Sequence, residues 1–192
     1  MNLGEAKKIV LKLLDEYSTG GSIINDQDIN LKMNAYFDIG QKALATRKRI
    51  VKVYEIPKTK ALNGEKYLKY TMPADFYGLS RLWVDEEVAS GVWQGKRLIL
   101  PAEETRKVEV EYYAYPTTIT GATADDYEFE IEQDAQECLP FFVAAQHLVT
   151  DLVVDSSRIL RIYEELAANL RDTLPPNPIR VVTVGRSYGG GN

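Results

Sequence analysis

A chain of 192 residues, 45% hydrophobic and 27% charged, has an ordinary globular composition and is long enough for one domain with room for a compact insertion. Its single cysteine, Cys138, excludes an intramolecular disulfide and a cysteine-built zinc site within one chain, and no 18-residue apolar run offers a membrane-spanning helix. The formal charge of −5 is uneven: residues 1–60 hold eleven Lys/Arg against seven Asp/Glu, and residues 119–192 five against twelve, an asymmetry suited to contacts between copies.

Asn2 followed by Glu5 is a capping-box pair, a side-chain acceptor for an orphan amide with an acid three residues inside. Leu3, Ala6, Val10, Leu13, Leu14 and Tyr17 recur at helical spacing and predict a helix over 3–17, stopped by Ser18-Thr19-Gly20-Gly21. A second helix begins near Asp26 or Asp28 and ends near Thr46. Its buried face is Ile29, Met33, Tyr36, Phe37 and Leu44, with Gly40 admitting a close neighbour. Neither helix can hide its stripe alone, so the two are expected to pack together.

The period then changes. Residues 49–56 alternate and are rich in β-branched types, which predicts a strand; 66–72 are a second, and Met72 to Tyr77 a proline-led turn. Leu79 to Val84 form another strand, Ser90-Gly91 and Gly95 turn the chain on either side of Trp93, and Arg97 to Leu100 extend it. The clearest strand is 107–115. Val108, Val110, Tyr112 and Ala114 share one face, and Lys107, Glu109, Glu111 and Tyr113 the other.

Residues 117–124, rich in Thr, Gly and Ala, read as a linker. Asp125, Asp126, Glu128, Glu130, Glu132, Asp134 and Glu137 follow, with Tyr127, Phe129 and Ile131 alternating among them as a short strand or extended edge. A third helix is expected over 134–153, with Leu139, Phe142, Val143, Gln146, Val149 and Val153 at helical spacing, Ala144, Ala145 and Leu148 widening the buried side, and Pro140 in its first turn or at a kink. Asp155-Ser156-Ser157 caps a fourth over 157–171, whose apolar face is Ile159, Ile162, Tyr163, Leu166 and Leu170. Pro175, Pro176 and Pro178 stop it, and the following IRVVTV suits a strand pairing with a partner or with an edge of its own sheet. The expected fold is α+β: a mainly helical bundle (1–48 and 117–173), an inserted small antiparallel β domain (49–116) and an extended C-terminal tail (174–192).

The chemistry-bearing residues favour an assembly protein over an enzyme. His147, the sole histidine, falls mid-helix among apolar neighbours and reads as half-buried or interfacial, leaving a catalytic triad no other usual base. Cys138, beside Leu139, reads as a small core residue. Asp125 and Asp126 can bind calcium or magnesium weakly but lack EF-hand spacing; a solvated acidic approach to a helix N-terminus is the simpler reading. Neither a GxGxxG nor a GxxxxGK[ST] sequence occurs. Lys42, Arg47, Lys48 and Arg49, with Lys52, form a local basic strip able to touch phosphates or an acidic neighbour. Twelve tyrosines suit interfaces as well as cores. No cofactor and no metal is expected.

The segment ending in MNAYFDIGQKALATRKRI resembles the corresponding part of the head–tail connector adaptors of tailed bacteriophages. YTMPADFYGLSRLWV resembles the LPxDF-type strand entry of phage neck and tail proteins, and ECLPFFVAAQHLVTD followed by RILRIYEELAANL resembles the paired helices of the adaptor family. The resemblance implies a structural virion protein of the neck, made in the host cytoplasm and crossing no membrane. It implies a self-associating ring of twelve copies below the portal protein, extending the channel and offering a platform for stopper or tail proteins. It also implies that 174–192 meet the portal, with Ile179, Val181, Val182, Val184, Arg186 and Tyr188 as contacts. Asp125, Asp126, Glu128, Glu130 and Glu132 would then face the channel, where like charge keeps packaged double-stranded DNA from sticking. The insertion is larger than in the mainly helical adaptors and is similar to that of the tubular-tail adaptors of short-tailed phages. Another virion structural role, or a protein-binding module that does not touch a portal, is the alternative.

Overall fold

The structure, a computed structural model, describes residues 1–17, 27–58, 65–151, 156–170 and 182–183. The fold is α+β, with helices and a small antiparallel β region. The chain divides into two compact units, Met1–Ile50 with Tyr115–Thr173, and Val51–Ala114 with Leu174–Asn192, of which last segment only Val182–Thr183 is described.

The first unit is helical. Helix α1 (Leu3–Tyr17) starts on the capping box: the Glu5 amide donates to Asn2 Oδ1 at 2.8 Å and the Asn2 amide to Glu5 Oε2 at 3.0 Å. Leu3, Ala6, Val10 and Leu14 are buried, one per turn. Helix α2 (Gln27–Arg47) buries Met33, Phe37 and Leu44, and Gly40 lies against α3 (Gln133–Asp151). A Cβ at Gly40 would come within 2.8 Å of Phe142 Cδ1 and 3.0 Å of Leu139 Cδ2, so the absent side chain sets the approach of the two helices.

Helices α1, α2 and α4 (Ser157–Asn169) all pack on α3, which corrects the expected pairing of α1 with α2. The reason lies in α3 itself. Ala135, Cys138, Leu139, Val143, Ala144, Ala145 and Leu148 bury it on more than one side, so it accepts several partners. Pro140 stands well inside α3 rather than in its first turn, leaving the Gln136 carbonyl without an amide from that position. Val149 is exposed instead of buried, and Val153 lies outside the described residues. Ser156 occupies the N-cap of α4, yet its hydroxyl makes no capping bond because its backbone is already helical (φ −78°, ψ −8°). The glycine stop after α1 lies outside the described residues.

The second unit contains two sheets. One has the order β1 (Ile50–Glu55), β7 (Val108–Ala114), β3 (Phe76–Val84), β4 (Glu87–Ser90), β8 (Val182–Thr183); the other runs β2 (Tyr67–Thr71), β6 (Arg97–Pro101), β5 (Val92–Gln94). Strands β3–β7, β3–β4, β2–β6 and β5–β6 pair antiparallel, while β8 runs parallel to β4 with Val182 opposite Ala89. Alternation along β7 buries Val108, Val110, Tyr112 and Ala114, the predicted face. The core lies between the sheets. Phe76 stacks on Trp93 at 6.1 Å, and a Cβ at Gly91 would come within 2.8 Å of both Leu82 and Leu98.

Strand β4 carries no turn signal in the sequence. The β3–β4 hairpin turns at Asp85 and Glu86, both with positive φ (48° and 67°), without the usual Asn-Gly or Asp-Gly. Two bonds to β7's lead-in hold it: the Asp85 amide donates to the Lys107 carbonyl, and Asp85 Oδ1 accepts the Lys107 amide, each at 2.9 Å.

Candidate functional site

The acidic segment is the site candidate whose placement is best defined. The Leu3 amide donates to the Tyr127 carbonyl at 2.9 Å, the Gly4 amide to the Asp125 carbonyl at 2.8 Å, and Asn2 bridges Glu128. The unpaired amides of a helix start thus find acceptors in this extended edge. Phe129 and Ile131 turn inward and are buried, so the alternating Glu128 and Glu130 turn outward. Asp125, Asp126, Glu128, Glu130 and Glu132 are all exposed.

Three of these carboxylates also have partners within the helical unit. Asp125, 68% exposed, binds Lys7 Nζ at 2.7 Å, and Glu130 Oε1 accepts the Thr117 amide at 3.0 Å. Glu132 binds Lys48 Nζ at 2.7 Å, and Asp134 binds the same ammonium more closely. These bonds raise the Lys48 pKa above the ordinary lysine value, with Asp134 the larger cause, and the Lys48 bond holds the Asp134 carboxyl below the usual aspartate range. Asp134 Oδ1 also accepts the Ala135 amide at 2.8 Å, closing the start of α3.

Residues 117–123 are not a free linker. Gln41 Nε2 donates to the Thr117 carbonyl at 2.7 Å, Asn34 Nδ2 to the Thr120 carbonyl at 2.9 Å, and the Ile119 amide to Asp38 Oδ1 at 2.9 Å. Ile119 is buried. Buried amide side chains on α2 therefore strap the segment down and satisfy its backbone. Composition concealed this because the partners, Asn34, Asp38 and Gln41, lie 76 to 86 residues away.

The basic strip divides. The Lys48 side chain is only 6% exposed and serves as an internal anchor, which removes it from a surface able to touch phosphate. Lys42 is bound by Asp38 at 2.7 Å and donates to Thr118 Oγ1 at 3.1 Å. Arg47 and Arg49 are exposed. In the β unit, Lys52 binds Asp75 at 3.0 Å, and Asp75 accepts the Tyr112 hydroxyl at 3.1 Å. Burial, aided by the Asp75 charge, raises the Tyr112 pKa.

Of the tail candidates, Val182 lies in β8 beside Ala89; Ile179, Val181, Val184, Arg186 and Tyr188 lie outside the described residues. His147 is half-buried and meets the Tyr36 ring edge-on at 5.5 Å. Cys138 is buried, with its thiol directed to the Asp134 carbonyl at 3.5 Å, and burial raises its pKa. Among the described residues no group of three or more His, Cys, Asp or Glu is arranged to hold a metal, and no helix is long and apolar enough to cross a membrane.

Two features escaped the sequence reading. One is a shallow groove on the five-stranded sheet lined by Val53, Trp83, Glu86 and Glu109. The other is an outward stripe on α2, Leu31, Ala35, Ile39 and Ala43, whose spacing of four was legible but was eclipsed by the buried face of the same helix. No protein-family model matches the chain, and no curated protein does.

Proposed function

We propose that the chain is a structural subunit, not an enzyme, of the head–tail connector ring of a tailed bacteriophage. It binds below the portal protein as a dodecamer, extends the channel and supports the stopper or tail. In this reading the helical unit is the adaptor body, 49–116 are its inserted domain, and 174–192 reach the portal from the sheet edge at which Val182 and Thr183 pair with β4. The observation that carries it is the acidic edge. Asp126, Glu128 and Glu130 point outward from a segment fastened by backbone bonds to the start of α1 and by Phe129 and Ile131 to the core. A wall beside packaged DNA needs fixed like charge, and these residues supply it.

The test mixes purified portal protein with this chain and measures the mass of the complex with end-view imaging. A ring on the portal is expected, and deletion of 174–192 should weaken attachment while the helical unit stays folded. A portal that binds nothing would overturn the proposal, and unchanged attachment after the deletion would overturn the tail contact. A second reading, a protein-binding module that meets no portal, is favoured by the Val53–Trp83 groove with its two flanking carboxylates.

A further inference from the structure

In a unit of two packed sheets, the outward positions of each strand are normally polar. Here the three most exposed large hydrophobic side chains among the described residues all lie on outward positions of the β unit: Val92 at 65%, Tyr67 at 64% and Val53 at 62%. On the three-stranded sheet Leu98 and Leu100 point to the core, so their alternates point out. Strand pairing then sets Tyr67 beside Pro101 and Lys69 beside Ile99 and Val92, with Arg97 at the next outward position. On the five-stranded sheet Val110 and Tyr112 point inward, which turns Glu109 and Glu111 outward opposite Trp83 and Arg81. Val53, Trp83, Glu86 and Glu109 line the groove on that face. Each outward face therefore has an apolar centre.

The two faces carry opposite charge. Within its strands the three-stranded face holds Lys69 and Arg97 and no acid; beyond the strand ends Lys66 and Lys96 offset Glu65 and Glu103. On the five-stranded face Glu55, Glu86, Glu109 and Glu111 outnumber Arg81 and Lys107, which bind Glu111 at 3.8 Å and Glu109 at 2.9 Å. The hairpin's Asp85 and Glu87 add to the excess, while Arg106 is taken up by Glu104 at 2.6 Å. Two copies joined through the same face would set like charge against like on either sheet. Joined through different faces, they set Lys69 and Arg97 against a carboxylate excess, with apolar side chains on both sides. We infer that the outward face of the three-stranded sheet of one copy packs on the outward face of the five-stranded sheet of a second copy. The second copy thus adds a third sheet layer, at the usual spacing of about 10 Å. The two faces lie on opposite sides of the core between the sheets, so the contact is head-to-tail and each copy keeps one free face for the next. A three-stranded face is narrow, which makes a single contact weak. Closure into a ring rests on the connector reading above; the pairwise contact does not.

The test uses the full chain. Copies carrying Val92→Cys and copies carrying Val53→Cys are mixed with a flexible bis-maleimide that spans the width of the face, native Cys138 being buried. A cross-link between the two kinds of copy is expected, and its absence overturns the inference. Val53→Lys and Val92→Glu each remove an apolar anchor and add charge of the same sign as the face they meet. Each alone should weaken self-association by about tenfold or more, read by sedimentation across a concentration series. Mixed together they should associate again, because one supplies an intact three-stranded face and the other an intact five-stranded face. Both positions are exposed, and an unchanged tryptophan fluorescence spectrum in each monomer certifies the β unit. A mixture no more associated than its parts, or a Val92→Glu chain as associated as wild type, overturns the inference. Added salt should weaken the wild-type contact; indifference to salt overturns the charge pairing that selects it. Portal binding is read in the same samples. Binding without the cross-link sinks this contact alone, whereas the cross-link without binding supports the contact and sinks the connector reading.

Discussion

The helical unit closes by joining residues far apart in the chain, whereas the β unit combines tight hairpins with longer pairings, β2 with β6, β3 with β7 and β4 with β8. Lys48 meets Asp134 across 86 positions and Gln41 meets the Thr117 carbonyl across 76, while β3 turns into β4 and β5 into β6 through two-residue hairpins. Distant closures cost more loop entropy before any contact rewards them. The helical unit meets that cost with one continuous apolar core and with buried polar fasteners, Asn34, Gln41 and Lys48. The β unit relies on alternation and on aromatic packing between two sheets.

Both tryptophans, Trp83 and Trp93, belong to the β unit, so their fluorescence follows it while the 222 nm signal follows the helices. Leu82→Ala should have the largest effect, about 2–5 kcal/mol from the lost transfer energy and the cavity left behind. The fluorescence transition should fall first; equal shifts in both probes would mean that the units unfold as one. Gly40→Val should reverse the pattern at about 1–3 kcal/mol, because the added methyls meet Phe142 and Leu139. A thermal melt at 222 nm that does not move would contradict the close approach of α2 and α3.

Asn2→Ala sharpens the comparison at about 0.5–2 kcal/mol, the worth of an N-cap, and should lower only the helical transition. Lys48→Met should do least, since Glu132 and Asp134 are each about half-exposed and can turn to water. Its signature is in pH. The Asp134 pKa is lowered on folding, so its contribution is present above the ordinary aspartate pKa and is lost as pH falls through the lowered value. The Lys48 pKa is raised, so its contribution is present below the ordinary lysine value and is lost as pH rises through the raised one. Wild type and Lys48→Met should therefore converge in stability in strong acid and in strong base, and differ between. A constant difference across that range would remove the ion cluster as its cause.

Local rules made much of the fold legible. The Asn2–Glu5 box and the apolar spacing placed α1, the alternation of 107–115 placed β7 and its buried face, and Gly40 announced a close neighbour. What stayed hidden depends on partners remote in the chain. Nothing between Thr117 and Thr123 reveals that α2 would strap it, and the run Lys42 to Arg49 looks uniform until Asp134 draws Lys48 inward. The Asp85-Glu86 turn hid for a different reason: its strained geometry is held by bonds to Lys107, not by a turn residue. At the acidic edge, sequence gave the charge and the alternation, but not the anchoring of the edge to α1.

The position of α3 in the chain also bears on biosynthesis. Helices α1 and α2 leave the ribosome with their apolar stripes formed, but the surface that covers both is still unmade. The 85 residues between Arg47 and Gln133 must come first, roughly 4–17 s of translation at about 5–20 residues per second. Through that interval the nascent chain carries uncovered grease while strands β1 to β7, all of which precede α3, are free to pair. A chaperone that shields emerging amphipathic helices would find its client here in the first third of the polypeptide.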